Sequence, residues 1–331
     1  MKKKHGVRVL CVLCIGTVCL FAQVKPKVNI VGGDNVPAIK QNISGILETV
    51  LLEMNRLNKG KGDLNSLRNK FSPEAFDVFT KFIEQNKPYT ARKIYEPQMV
   101  ERQKGEFFDI RSLTVNVELG ETEASQAQNL IITFSKAGLI TSVRSMLPNY
   151  DYEKMISEGN SAIDSLTRGL ILDFLEQFRM GYNNKDLDML QKVYSDEALI
   201  IVGTVLKEKG QSDDFSKMTL LTPSKVKLVQ QSKSEYLEGL RKNAFRKNSF
   251  LNVRFEDVQV MQHEKVAEIY GITCRQLWNS SNYSDTGHLF LMMDFRNAKE
   301  PIIHVRSWQP KAFEDGTFVG LYDFDVVSYG Q

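Results

Sequence analysis

Cysteine, histidine and tryptophan are scarce in this chain of 331 residues, and the first two scarcities each exclude a class of protein. Of the 4 cysteines, Cys11, Cys14 and Cys19 fall in the first 22 residues. Cys274 is left alone, so the rest of the chain can form no disulfide within itself. It sits in the apolar run YGITCRQLW and reads as a small buried hydrophobe rather than a reactive thiol. Beyond those 22 residues the histidines are His263, His288 and His304, without ligand spacing, so neither a dedicated zinc site nor any other cofactor is expected. A Gly-rich phosphate loop and a nucleophile-elbow serine are also missing.

The amino-terminus accounts for the apparent basic charge. Lys2, Lys3, Lys4 and Arg8 precede an uncharged apolar run, Val9 to Ala22, too short to cross a bilayer as a helix. Residues 1–22 therefore read as a signal peptide cleaved before Gln23, giving a periplasmic or cell-envelope protein that is not transmembrane after cleavage. Gly16, Thr17 and Val18 lack the pattern that precedes a lipidated cysteine, so no anchor at Cys19 is expected. Losing those 4 of 43 basic residues leaves 39 against 40 acidic ones. No basic, aromatic-interleaved stripe remains, which excludes nucleic acid as a partner.

What is present is a repeat. DLNSLRNKFSPEAF (Asp63 to Phe76) pairs with DLDMLQKVYSDEAL (Asp186 to Leu199), FFDIRSLTVNV (Phe107 to Val117) with FLNVRFEDVQV (Phe250 to Val260), and VRSMLP (Val143 to Pro148) with VRSWQP (Val305 to Pro310). The offset grows from 123 to 143 to 162, as it does when one unit is duplicated and its second copy lengthened twice. The reading is a tether at 23–37, a shorter unit at 38–150, a second unit at 161–312, and an extension at 313–331 that adds an edge strand or covers a pocket mouth.

Within each unit the periodicity switches from helical to alternating. Apolar residues from Ile39 to Met54 and from Ile163 to Phe178 recur at three- and four-residue spacing, predicting long amphipathic helices, with Asp63 and Asp186 as caps of the short helices that follow. Ser72 and Pro73 then open another helix in the first unit, where the second has the strand-like run ALIIVGTVL. SKSEYLEGLRKNAF predicts a helix in the second unit alone. Strands follow at 107–117, 130–134 and 139–146 in the first unit, and at 250–260, 269–278, 288–295 and 302–308 in the second. Helices followed by a curved antiparallel sheet make an α+β class: two tandem cone-like units with helices covering one sheet face.

The second unit, with YNNKDLDMLQKVYSDEALIIVG and the closing IIHVRSWQP, resembles the nuclear transport factor 2-like superfamily, which includes ketosteroid isomerases and polyketide cyclases. The first unit inherits the resemblance only through the repeat. The resemblance implies a cone of helices and bent sheet around a pocket, and in its enzymes an Asp or His there with a Tyr, Trp or Arg partner. The candidates are then Asp294, His304, Arg306, Trp308 and Trp278, since strand alternation puts His304, Arg306 and Trp308 on one face. Arg306 aligns with Arg144, so both arginines are expected to do one structural job, each pinned by a carboxylate of its own unit. Asp285-Thr286-Gly287 reads as a hairpin loop, and LRKNAFRKNS as a solvated helix end.

The fold hosts both catalysts and binders. The leading expectation is a non-enzymatic binding or scaffold protein using the pocket or sheet face of the second unit for a small ligand or an envelope protein. The alternative is an isomerase, dehydratase or hydrolase in that pocket, with Asp294 or His304 as base. Pairing of the two units within the chain, or a homodimer, is the third reading of the sheet face.

Overall fold

The computed structural model describes residues 25–90, 92–118, 126–148, 151, 153, 163–205 and 226–324. The expected signal peptide, Cys19 and the last residues of the extension lie outside them. In chain order the elements are β1 (Lys27–Val28), α1 (Pro37–Asn58), α2 (Pro73–Asn86), β2 (Tyr89–Thr90), β3 (Ile94–Tyr95), β4 (Gln98–Arg102), β5 (Phe107–Val117), β6 (Gln126–Ser135) and β7 (Ile140–Ser145). There follow α3 (Ser165–Asn183), α4 (Leu187–Val193), β8 (Tyr194–Val205), β9 (Val226–Gln231), α5 (Lys233–Gly239), β10 (Leu251–Gln262), β11 (Ile269–Ser280), β12 (Ser284–Asp294) and β13 (Ile302–Gln309). The chain is α+β.

Local chemistry explains where the helices start. Asp63 and Asp186 each accept a backbone N–H at the start of a short helical segment, and Ser72 accepts that of Ala75 ahead of Pro73. Ser232 and Glu235 form a reciprocal capping box for α5, which continues as a π-type turn through Leu240–Phe245.

Besides a two-stranded parallel pair of β1 and β3, two larger sheets carry the strands. The first has the order β2-β5-β6-β7, with β4 also on β5; the second runs β10-β11-β12-β13-β8-β9. Neighbours in both are antiparallel except β13 with β8. The inner face of the first sheet closes on α1 and α2 around Leu47, Leu51, Phe79, Phe82 and Phe108. The second closes on α3 around Phe178, Tyr182, Phe255 and Leu291.

Helix α3 has two buried faces. Phe174, Leu175 and Phe178 face the second sheet's core, whereas Asp173, Glu176 and Arg179 meet the back of the first sheet and the loop after it. Arg179 ties both sheets to the helix, its Nε donating to the Val253 carbonyl at 2.7 Å and its Nη1 to that of Met146 at 2.6 Å. Further links join the halves: Lys81 reaches Asp186 at 2.7 Å, and Asn86 donates to Asn184 at 3.1 Å.

The aligned strings can now be compared face by face. Leu67 and Leu190, Phe71 and Tyr194, and Ala75 and Ala198 are buried pairwise. In β5 and β10, Phe108 and Leu251, Ile110 and Val253, and Val115 and Val258 all point into their own cores. The third string breaks the pattern, because Val143 lies in the first core while Val305 lies behind the second sheet. The second sheet has one more antiparallel strand between the aligned positions, so β13 runs opposite to β10 whereas β7 runs with β5. Arg144 and Arg306 thus leave their sheets on opposite sides.

The described part of the extension also differs from expectation. Val319 and Leu321 pack on the back of the second sheet with Phe290 and Met292, and Phe318 stacks on His288 at 4.1 Å. It adds no strand there and covers the sheet's rear rather than the mouth described below.

Candidate functional site

Among the described residues, one end of the second sheet's inner face is open. The ends of β8, β11, β12 and β13 form one wall of a cavity of about 920 Å³; α5, its π-type continuation and the hairpin at Ser280 to Tyr283 form the other. The wall is mainly apolar and aromatic, with Val202, Tyr236, Leu240, Trp278, Tyr283 and Trp308. Its charged residues are Arg306, Asp285 and Lys247. Two glycines let Trp308 and Pro310 lie close against neighbouring strands. A Cβ at Gly287 would stand 2.6 Å from the Trp308 ring, and one at Gly203 would stand 3.0 Å from Pro310.

Arg306 is the most constrained group. It is 4% exposed, its Nη2 donates to Gln276 Oε1 at 3.1 Å, and its Cζ lies 5.0 Å from the centre of the Tyr236 ring. Its Nε meets no partner, and among the described residues no carboxylate stands within ion-pair distance. Behind it Tyr182 bridges Tyr194 at 3.0 Å and Tyr236 at 2.7 Å, oxygen to oxygen. Burial pushes the Tyr194 and Tyr236 phenols well above their usual range, so at neutral pH they are uncharged dipoles. The expectation of a shared structural job therefore fails: Arg144 is ion-paired with Asp109 and Asp173, while Arg306 has a tyrosine cluster and an amide.

Three sequence candidates, Trp278, Arg306 and Trp308, come together on this wall. Asp294 and His304 do not join them. Asp294 shares the rear face of β12 with Phe290 and Met292, takes hydrogen bonds from Arg296 and holds His304 Nε2 at 3.2 Å. A bulge in β13 opposite Met292 and Met293 absorbs His304, putting Ile303 and Val305 on opposite faces. Simple alternation therefore does not reach from His304 to Arg306.

Sequence reasoning missed Asp285. It stands on β12 opposite Trp278, with Gly287, Leu289 and Leu291 on its face, rather than in a loop. Burial pushes its carboxyl up against the pull of Tyr283 and Arg306, and its Oδ1 has no partner. Extending the alternation of β12 back through Gly287 was the signal available. The basic run likewise supplies more than a solvated end, since Asn243, Ala244 and Lys247 line the mouth. Cys274 is buried and its thiol is pushed up by burial. Among the described residues no group of three or more His, Cys, Asp or Glu could hold a metal ion, and no helix is long and apolar enough to cross a membrane.

No family model and no curated protein matches the chain. Solved structures do. A naphthalene 1,2-dioxygenase with indole bound in its active site is 11% identical, covering 50% of this chain and 88% of that one at a TM-score of 0.35. An NTF2-like protein of unknown function from Pseudomonas putida KT2440 is 10% identical over 49% and 96% at 0.31. Bd1075 of Bdellovibrio bacteriovorus is 10% identical over 65% and 93% at 0.33. Likenesses this remote carry no argument about function.

Proposed function

We propose that the protein is an exported, non-enzymatic binding protein of the nuclear transport factor 2-like superfamily, built of tandem units at 38–150 and 161–312, whose second unit holds a small ligand. The observation that carries this is the open, aromatic-walled cavity of about 920 Å³, of the size and lining of small-molecule sites. The first unit has its inner face filled by its own helices and acts as the packing partner. The two aligned strings that keep their faces support the duplication, and the basic-then-apolar leader supports export. A thermal-shift screen of small apolar molecules tests the binding: mass action raises the melting temperature with ligand concentration. Ala244→Phe, which fills the mouth, should abolish the rise; a shift that survives it, or no shift at all, sinks the reading. Fractionation of expressing cells, with the mature amino-terminus read at Gln23, tests export.

A second reading, an isomerase, dehydratase or hydrolase in the same cavity, is favoured by Asp285, a half-buried carboxylate in the lining whose carboxyl burial raises above its usual range. It requires turnover that Asp285→Asn removes while binding persists. Binding without turnover on any bound compound leaves the first.

A further inference from the structure

The cavity wall carries a charge that no described residue neutralises as an ion-pair partner. Arg306 is buried with no carboxylate at ion-pair distance among the described residues, and its Nε lacks a partner. An isolated buried cation is costly, and a carboxylate meeting it by charge-assisted hydrogen bonds removes that cost. Arg306 and Lys247 against Asp285 leave the lining with one net positive charge, which matches a monoanion. Asp285 does not fill that role from within: burial raises its carboxyl against the pull of Arg306, and the two form no ion pair. The remaining wall is mainly apolar: Trp278, Trp308, Tyr236 and Tyr283 supply rings, and Val202 and Leu240 aliphatic surface. Flat apolar rings stack or meet edge-on with such walls.

From these features we propose that the cavity takes an aromatic monocarboxylic acid, its carboxylate received by the Arg306 guanidinium and its ring lodged among Trp278, Trp308 and Tyr236. This rests on the reading of the cavity as a ligand site. Asp285, beside the anion, sets selectivity: it disfavours dianions, and its removal strengthens binding of the acid.

The chain has only 2 tryptophans, Trp278 and Trp308, and both line the cavity, so intrinsic tryptophan fluorescence of the full chain reports on its wall. The probes are 3-phenylpropionate and its uncharged amide, with the aliphatic acid octanoate as the third arm. The acid should change the emission saturably and bind about ten- to a hundredfold more tightly than the amide, the ratio expected of a hydrogen bond to a charged group. Octanoate should bind more weakly than the aromatic acid. Arg306→Met should bring the acid down to the affinity of the amide, Arg306→Lys should restore part of it, and Asp285→Asn should tighten the acid but not the amide.

Acid and amide binding alike would leave a ligand site but overturn the carboxylate anchor. Octanoate binding as tightly as the aromatic acid overturns the ring preference. If no probe alters the emission, both this inference and the ligand-site reading fall. Should the arginine variants not fold, the acid-to-amide ratio on the unaltered chain still decides.

Discussion

Two arginines at aligned positions differ in what the fold has done with their charge. Arg144 leaves the back of the first sheet into a cluster with Arg102, Arg111, Asp109, Asp173 and Glu176, most of it buried against α3. Arg306 leaves the inner face of the second sheet toward a cavity, with a glutamine and a tyrosine ring for company. The first is neutralised by the chain and holds two halves together. The second is held in place with no carboxylate at ion-pair distance among the described residues. An arginine's role is therefore decided by the face from which it leaves the sheet.

The largest test of that contrast is a pair of variants. Arg144→Met leaves Asp109 and Asp173 buried or half-buried with one cation fewer, and should cost about 3–5 kcal/mol in urea unfolding. Arg306→Met breaks no ion pair and should cost well under half as much; equal losses would erase the distinction.

Next comes the cavity's geometry. Gly287→Ala forces a methyl group against the Trp308 ring and the Gln309 carbonyl, and should cost about 1–3 kcal/mol while shifting the tryptophan emission. An unchanged spectrum would mean that Trp308 does not lie over Gly287.

The helix caps give a smaller effect with a built-in control. Asp186 caps α4 and also binds Lys81 across the halves, whereas Asp63 caps an exposed turn. Asp186→Ala should cost about 1–2 kcal/mol and Asp63→Ala about 0.5–1 kcal/mol; the reverse order would show that the Lys81 link adds nothing.

The smallest effect is in pH, where the two carboxylates beside these arginines act with opposite sign. Although burial opposes it, Arg144 and Arg102 hold the Asp109 carboxyl below its usual range. The unfolded chain then takes up that proton first as pH falls, and Asp109 weakens the fold below about pH 4. Asp285 is raised, so the folded chain takes up its proton first, and stability rises as pH falls through the raised value toward about 4. Asp109→Asn and Asp285→Asn should each flatten one of these slopes in melting curves across that range, and a shared direction would contradict the assignment.

Much of the fold was legible in residue order. Helix starts follow from side chains that reach only two or three residues, as with Asp63, Ser72 and Asp186, and the matched burial of Ile110 and Val253 follows from the alignment of their strings. Asp294 and His304 were misplaced because the parity argument assumes an unbroken strand and an assigned interior. The bulge at His304 breaks the first, and the extension over Phe290 and Met292 gives β12 a second covered face. Asp285 was missed because its polar neighbours read as a turn, while the strand in fact runs back to Ser284.

By itself the sequence determined what depends on near neighbours: the caps, the amphipathic helices, the alternating strands, the lack of a disulfide within residues 23–331 and the α+β class. Only the tertiary structure decided which sheet face became an interior, that α3 lies between two sheets, and that Arg306 faces a cavity with no carboxylate at ion-pair distance among the described residues. Strand count and a single bulge set those outcomes, because each reverses the side to which every later residue points.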